Sequence, residues 1–136
     1  MFSVITLIVA FFACLQSFVL SAPVPSQGVQ KRATGQATYF YLGVGNCGED
    51  DTGKDSEFIV ALDSTTYGSG EHCNTYVSIT DTTTGETQKG LVRDSCPSCG
   101  VGSIDMSTGL FTALHGSTDA GVFAISWEFA SDDSSS

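Results

Sequence analysis

The alternation of apolar and polar residues is the clearest structural signal in this 136-residue chain. Near its end, Phe123, Ile125 and Trp127 alternate with smaller or polar residues, which predicts a strand with one buried face. A Thr-rich turn lies between two β-type segments and predicts a hairpin over residues 76–93. Two short runs of aromatic or apolar residues predict further strands at residues 37–41 and 58–62.

One segment follows the period of a helix instead. Leu110, Phe111 and Leu114 share one apolar face, Ser107 can cap the helix start, and Gly116 can end it. Many short strands with one short helix in a single small domain are typical of a small β-barrel. The pattern therefore predicts a mainly β protein.

The N-terminal segment is predicted to direct export. Residues 2–20 are almost continuously apolar, start at Met1 and end in small residues before Pro23, as a signal peptide does. A membrane anchor of similar length is the alternative. The following polar segment ends in a dibasic pair, Lys31-Arg32, typical of a processing site. The predicted organisation is a signal peptide at residues 1–21, a propeptide or disordered linker at 22–32, a barrel domain at 33–130 and an acidic, Ser-rich tail at 131–136.

The charge balance restricts the partners. Lys31 and Arg32 are two of only five basic residues, so the chain after them keeps three against fifteen acidic residues, a formal net charge of −12. Nucleic acid is excluded as a partner because its phosphates are bound by Lys and Arg patches. We expect a secreted monomer, extracellular or in the cell wall, that is not membrane-bound after processing. Its expected partners are cell-wall polysaccharide, neutral or cationic, or a secreted protein.

No cofactor or metal is expected. The sequence contains no Gly-rich dinucleotide-binding fingerprint. The acidic residues at positions 43–57 lack the ligand spacing of an EF-hand loop, so we expect a solvated loop there.

Four cysteines remain once Cys14 has left with the signal peptide. In an exported chain they predict two disulfides, for which three pairings are possible. We expect neighbours to pair, Cys47 with Cys73 and Cys96 with Cys99. The Cys96-to-Cys99 spacing also occurs in redox and zinc sites, but here it follows a strand without a βαβ unit.

Two sequence motifs in residues 90–116 carry a family resemblance. "VRDSCPSC" and "IDMSTGLFTALHG" resemble the paired signature of the double-psi β-barrel proteins, which include RlpA-like, barwin-like and expansin-like proteins. "GQATYFY", "FIVALD", "HCNTYVSITD" and "GVFAISWEF" look like the other strands of that family. The resemblance covers about residues 33–130 and implies a small six-stranded double-psi β-barrel with one short helix. Some similar fungal proteins are named riboflavin-aldehyde-forming enzymes.

The resemblance also implies a groove. In expansins, a Thr and a Tyr of the first strand and two Asp residues grip glucan without net hydrolysis. Thr38, Asp94 and Asp105 match three of these positions, and Phe40 stands where the Tyr is expected. Phe40 can still stack on a sugar ring, so it stays a candidate substrate-binding residue.

Catalysis is less well supported by the same comparison. Asp105 matches the general acid of related endoglucanases, and Asp94 is the second candidate catalytic carboxylate. The general base of those enzymes falls near Tyr41 or Leu42 here, and neither side chain is a carboxylate. This departure argues against an inverting hydrolase.

Each candidate residue also has a structural interpretation. Asp105 could satisfy amide groups at the helix start. Asp94 could pair with Arg93 or bind the backbone of the Cys96–Cys99 loop. Tyr39 and Tyr41 share a strand face and could form a sugar platform or pack.

Three classes of function follow. The first is an expansin-like wall protein that binds or remodels polysaccharide. The second is a protein-binding module, such as a cysteine-protease inhibitor or an effector. The third is an enzyme, either like a lytic transglycosylase or riboflavin-oxidising. A fold hosts many functions, and only the site decides between them. We favour the first class, because Thr38, Asp94 and Asp105 match positions of the expansin groove.

Overall fold

The computed structural model describes residues 31–131. The predicted signal peptide, most of the predicted linker and most of the acidic tail lie outside these residues. The elements are β1 (Ala33–Phe40), β2 (Ile59–Asp63), α1 (Ser64–Tyr67), β3 (Tyr76–Asp81), β4 (Thr87–Cys96), β5 (Ile104–Ser107), α2 (Thr108–His115) and β6 (Phe123–Phe129). Within this part of the chain, no helix is long and apolar enough to span a membrane.

The six strands form a closed barrel in the order β1-β5-β2-β4-β3-β6. Two neighbouring pairs are parallel, β1 with β5 and β2 with β4. The other four pairs are antiparallel. The prediction of a mainly β, six-stranded barrel is confirmed.

The barrel interior is filled by the side chains that the alternation assigned to it. Phe123, Ile125 and Trp127 of β6 are at most 6% exposed. All five residues of β2 are buried, which explains why its first four residues are a continuous apolar run rather than an alternating one. Trp127 also uses its polar edge, because its Nε1 donates a hydrogen bond to the Gly102 carbonyl at 2.8 Å.

Helix α2 closes the barrel with its apolar face. Leu110, Phe111 and Leu114 are buried, and the Ser107 hydroxyl accepts a hydrogen bond from the Leu110 amide. The helix ends at Gly116, whose φ of 88° is a left-handed conformation that favours glycine. The predicted bounds of this helix are confirmed.

Two elements differ from the sequence-based expectation. Residues 104–107, for which the sequence pattern indicated only the start of the helix at Asp105 and Ser107, form the strand β5 between β1 and β2. The four-residue helix α1 was not predicted, because Ser-Thr-Thr-Tyr has no helical period. It forms because Asp63 accepts hydrogen bonds from the amides of Thr65 and Thr66, both at 3.0 Å.

Two disulfides tie the loops to the barrel. Cys47 is bonded to Cys73 and Cys96 to Cys99, so each bond joins one cysteine to the next cysteine along the chain, as expected. Most residues of the acidic loop at residues 43–57 are exposed or partly exposed, as expected of a solvated loop, but Asp51 within it is buried and ties the loop to the barrel.

Asp51 shows why that loop is ordered. Its side chain is 3% exposed and forms ion pairs with Lys54 at 3.0 Å and Arg93 at 3.5 Å. Burying a carboxylate in this way requires nearby cations, and the chain after residue 32 has only three. Two of them are therefore committed to this loop.

Candidate functional site

Four residues form a row across neighbouring strands on one side of the barrel. Thr38 of β1 lies opposite Asp105 of β5, and Asp105 lies opposite Ala61 of β2. Ala61 lies opposite Asp94 of β4. Residues directly opposite each other point to the same face of a sheet. Thr38, Asp105 and Asp94 are therefore brought together on one outer face, with the small Ala61 between the two aspartates.

A β-bulge in β4 is what places Asp94 in this row. Val60 pairs with Val92, but the next residue of β2, Ala61, pairs with Asp94, so Arg93 is an extra residue. Strict alternation from the buried Val92 would have pointed Asp94 into the barrel. The extra residue reverses the phase and turns Asp94 outward, a use of bulges that is common beside functional sites.

Asp105 is half-buried and hydrogen-bonded across the row. Its Oδ1 accepts a hydrogen bond from the Thr38 hydroxyl at 2.9 Å. Burial raises the pKa of this carboxyl and the nearby Asp94 charge raises it further, whereas the bonds from Thr38 and the Met106 amide oppose the shift. Asp105 does not cap the helix as its structural interpretation required, because it lies within β5.

Asp94 is held by backbone amides rather than by a cation. Its Oδ1 accepts hydrogen bonds from the Asn46 amide at 2.9 Å and from the Ser95 amide at 2.8 Å. Arg93 points elsewhere and pairs with Glu49 at 3.1 Å. Asp94 therefore forms neither the predicted ion pair with Arg93 nor the predicted contact with the Cys96–Cys99 loop. It binds Asn46 of the acidic loop instead.

A cleft of about 180 Å³ opens on the same face, beside Thr38 and Asp105. Polar side chains and the Cys96–Cys99 disulfide dominate its lining: Gln36, Thr38, Cys96, Ser98, Cys99, Gly100, Ser103 and Asp105. Gln36, Ser98 and Ser103 were missed from the sequence. Gln36 could have been found, since it lies two residues before Thr38 and so on the same strand face. The two serines come from a loop without a periodic signal.

The wall of the cleft is fixed by contacts at Gly102. Its amide donates a hydrogen bond to Asp63 Oδ2 at 3.1 Å, and its carbonyl accepts the bond from Trp127. A Cβ on Gly35 would clash with the Gly102 carbonyl oxygen, so β1 can lie this close to the loop only because residue 35 is glycine. The hydrogen bonds from Gly102, Thr65 and Thr66 outweigh burial and hold the pKa of Asp63 below its usual range, so Asp63 binds the loop as a carboxylate.

The three aromatic candidates of the first strand have different environments. Phe40 follows Thr38 at a spacing of two and shares its face of β1. Tyr39 points the other way and packs edge-on against Phe111, with ring centroids 5.1 Å apart. Tyr41 lies beyond the end of β1 and is 76% exposed. The structure therefore does not bring Tyr39 and Tyr41 together as one platform.

A carboxylate does lie at the end of the first strand, although the sequence placed it in a solvated loop. Asp55 Oδ1 accepts a hydrogen bond from the Leu42 amide at 2.7 Å. The Asp55 carbonyl accepts a second bond from the Gly109 amide at 2.8 Å, so this residue links the acidic loop to α2. Asp55 does not line the cleft.

The histidines have structural partners away from the cleft. His115 Nδ1 lies 2.6 Å from Asp81 Oδ2, and its ring stacks on Phe123. His72 stacks on Phe129 with ring centroids 4.0 Å apart. In residues 31–131, no group of three or more His, Cys, Asp or Glu side chains could hold a metal ion.

Comparison with known proteins gives matches among solved structures alone. No protein-family model and no curated protein sequence matches the chain. The structure is similar to an expansin of Clavibacter michiganensis, with 29% identity and a TM-score of 0.67 over 77% of this chain and 53% of that one. A mutant of that expansin in complex with cellohexaose gives a similar match, with 28% identity and a TM-score of 0.67 over 78% and 54% of the two chains.

Two smaller proteins match over most of their length. A Streptomyces papain inhibitor is 30% identical with a TM-score of 0.65, over 74% of this chain and 96% of the inhibitor. A cerato-platanin of M. perniciosa shares the fold at 15% identity and a TM-score of 0.56, over 72% and 94% of the two chains. The present chain spans about half the length of the expansins.

Proposed function

The chain belongs to the double-psi β-barrel family that includes the expansins and the papain inhibitor, and from this premise we propose that it binds cell-wall polysaccharide without hydrolysing it. The protein would be secreted, since both disulfides require an oxidising compartment to form and persist. It would act as a single barrel domain, residues 33–130, after removal of the segments before it.

The row of Thr38, Asp105 and Asp94 beside an open polar cleft is the observation that supports this function. Its carboxylates and hydroxyl can accept and donate hydrogen bonds to sugar hydroxyl groups. The side chains are held in place by Asn46, Ser95 and the Thr38–Asp105 bond before any ligand arrives. Phe40, on the same face as Thr38, supplies an apolar surface for a sugar ring.

The geometry favours binding over hydrolysis. Asp94 and Asp105 are separated by one intervening strand, which places their Cα atoms about 10 Å apart. The first strand contributes Thr38 to the cleft but no carboxylate, and Asp55 at its end is engaged with the Leu42 amide. Asp105 has the raised pKa of a general acid but no base in the cleft to activate water.

A pull-down experiment tests the proposal. The purified protein is mixed with insoluble cellulose, chitin and whole fungal wall, and the bound fraction is compared with that of Asp105→Asn and Thr38→Ala. We expect retention by at least one polymer and a clear loss in both variants. Glu86→Gln serves as the control, because Glu86 is exposed in the β3–β4 turn. Equal loss in the control, or no retention by any polymer, would contradict the proposal.

Hydrolysis is tested on the same samples. We expect no new reducing ends when the protein is incubated with soluble glucan. Release of reducing ends that Asp105→Asn abolishes would instead make the protein a glycosidase.

Inhibition of a cysteine protease is the second candidate function. It is favoured by one observation, the match to almost the whole length of the Streptomyces papain inhibitor at 30% identity. The test is titration of papain with the protein. Tight inhibition that is unchanged in Asp105→Asn would assign the function to loops outside the cleft, such as residues 43–57.

A further inference from the structure

We propose that the cleft selects an amino sugar, a glucosamine-containing polymer whose ammonium groups pair with Asp105 and Asp94. This inference rests on the proposed polysaccharide binding and names the chemical class of the sugar. The same cleft and row of residues would bind the ligand; the sign of the charge along them decides which sugar binds best.

The cleft face has an excess of negative charge that the protein does not neutralise. No Lys, Arg or His side chain of the described residues forms an ion pair with Asp94 or Asp105. The described cations that form ion pairs are used elsewhere: Arg32 with Glu128, Lys54 with Asp51, Arg93 with Glu49 and Asp51, and His115 with Asp81. A cationic ligand would supply the missing partner.

A further carboxylate lies behind the cleft wall, and the rest of the lining adds no positive charge. Asp63, buried behind the wall, holds the Gly102 amide as an ionised carboxylate. The other polar lining groups, Gln36, Ser98 and Ser103, are neutral and suit sugar hydroxyl groups. A polymer with both hydroxyl and ammonium groups matches this combination better than either a neutral glucan or an acidic polysaccharide.

The energetics favour a cation at Asp105 in particular. Only one of its oxygens, Oδ1, accepts a side-chain hydrogen bond from the described residues, that of Thr38. Half-burial and the Asp94 charge disfavour its ionised form. An ammonium group at Asp105 would offset the repulsion from the Asp94 charge and form charge-assisted hydrogen bonds, which are stronger than those of a neutral sugar hydroxyl.

This pairing predicts a dependence of binding on pH. The titratable groups around Asp105 are Asp94 on β4 and Asp63 at the end of β2. Strand β1 contributes only Tyr39, which faces the core, and the loop at residues 97–103 contributes no titratable group. Affinity should fall in acid as the carboxylates gain protons and fall again as the sugar amine loses its proton.

Isothermal titration with oligosaccharides of equal length tests the proposal. The three probes are a glucosamine oligomer, its N-acetylated counterpart and a cello-oligosaccharide, at a mildly acidic pH where the amine is protonated. We expect the glucosamine oligomer to bind about tenfold tighter than the other two. Asp105→Asn should remove this preference, so that all three oligomers bind about equally and more weakly than the neutral oligomers bind the unchanged protein.

A charge-matched control separates the cleft from the general acidity of the protein. Glu86→Gln removes the same single charge, but it lies next to the far end of β4, roughly 25 Å along the strand from Asp94. This variant should keep the full preference for the amine. Equal loss of preference in Glu86→Gln and Asp105→Asn would show non-specific attraction and overturn the inference.

The outcomes also distinguish this inference from the proposed function. Equal binding of all three oligomers, lost in Asp105→Asn, would overturn the amino-sugar preference and leave polysaccharide binding intact. Absence of binding to every oligomer and every insoluble polymer would overturn both.

Discussion

Asp105 carries a charge that its own surroundings disfavour. Its side chain is half-buried and lies on the same face as the Asp94 carboxylate, and the bonds from Thr38 and the Met106 amide compensate only in part. A residue kept in such a position at a cost in stability is typical of a functional site.

Replacing Asp105 by Asn should therefore stabilise the fold at neutral pH. Because the folded state raises the pKa of Asp105, stability decreases as pH rises from the unfolded toward the folded pKa, and the deficit persists above it. We expect a gain of at most about 1 kcal/mol in the free energy of unfolding, since solvent screens a half-exposed group. Urea titrations should show the gain at pH 7 and its disappearance below the usual pKa of Asp. A loss of stability at neutral pH would show that this charge is favourable.

Asp81 is the opposite case, a buried carboxylate that the fold stabilises. It is fully buried and accepts hydrogen bonds from His115 and from the amides of Thr83 and Thr84. Burial opposes its ionisation, but these bonds outweigh burial and hold the pKa of Asp81 below its usual range.

Asp81→Asn should destabilise the protein by about 2 kcal/mol at neutral pH, because charge-assisted hydrogen bonds at the α2 terminus are lost. For a lowered pKa, the stabilisation is present above the unfolded value of about 3.9 and is lost as pH falls through the folded pKa. Urea midpoints should therefore differ most at neutral pH and converge in strong acid. A difference that is the same at both pH values would indicate a packing effect instead.

At the scale of elements, the cleft depends on a close approach between β1 and the loop at residues 97–103. This approach leaves no room for a side chain on Gly35, whose Cβ would meet the Gly102 carbonyl. The loop carries Ser98, Gly100 and Ser103 of the cleft lining.

Gly35→Ala should destabilise the fold by about 2–3 kcal/mol, because backbone atoms must shift to admit the methyl group. Gly43→Ala is a matched control, since a Cβ at that position meets nothing within 4 Å. Its effect should stay within about 0.5 kcal/mol. Thermal unfolding of the two variants side by side measures the difference, and equal unfolding temperatures would rule out the close approach.

The two disulfides should differ in what their removal changes. Cys47 and Cys73 are 26 residues apart and Cys96 and Cys99 are 3 apart. The chain-entropy model gives about 3.5 kcal/mol for the first bond and about 2 kcal/mol for the second. The double Ser variant of Cys47 and Cys73 should lose more stability in denaturant titrations. The double Ser variant of Cys96 and Cys99 should lose more polysaccharide binding, because this bond lines the cleft. The reverse ranking in either assay would contradict this division.

Periodic elements could be predicted from the sequence, and elements defined by their partners could not. The alternation in β6 and the apolar face of α2 are local patterns, and both are confirmed. Strand β5 has four residues, too few for a period, and it exists because β1 and β2 pair with it. The bulge at Arg93 is likewise a property of the β2–β4 pairing.

The residues of the candidate site also divide into those that a sequence pattern indicates and those that distant contacts position. The family signature indicated Thr38, Asp94 and Asp105, and the structure brings these three together in one row. Ser98 and Ser103 of the cleft lining lie in an irregular loop whose position is set by Asp63 and Trp127. The buried Asp51 was also beyond prediction, since its two cations come from different segments.

At the scale of the whole molecule, the strongly negative net charge governs the electrostatics. The chain after Arg32 carries fifteen acidic and three basic residues. Such an excess keeps molecules apart in solution and also repels parts of the compact fold from one another.

Salt should therefore stabilise this protein. Raising the salt concentration from about 0.01 to about 0.15 M shortens the screening length from about 30 to about 8 Å. We expect Tm to rise over this interval, because weakened repulsion outweighs the few weakened ion pairs. Differential scanning calorimetry measures the shift, and a fall in Tm would mean that the ion pairs at Asp51 and Glu49 dominate.

The closed order of the strands limits how this protein can associate with other chains. Each of the six strands of residues 31–131 has a neighbouring strand on both sides, so none is the edge strand of an open sheet. Fibrils grow by adding strands to such edges, and some peptide-binding domains capture their ligands in the same way. Here either process would first require the barrel to open. The closed barrel thus hinders aggregation through strand edges. It also means that ligands are recognised by side chains and loops and not by the addition of a strand.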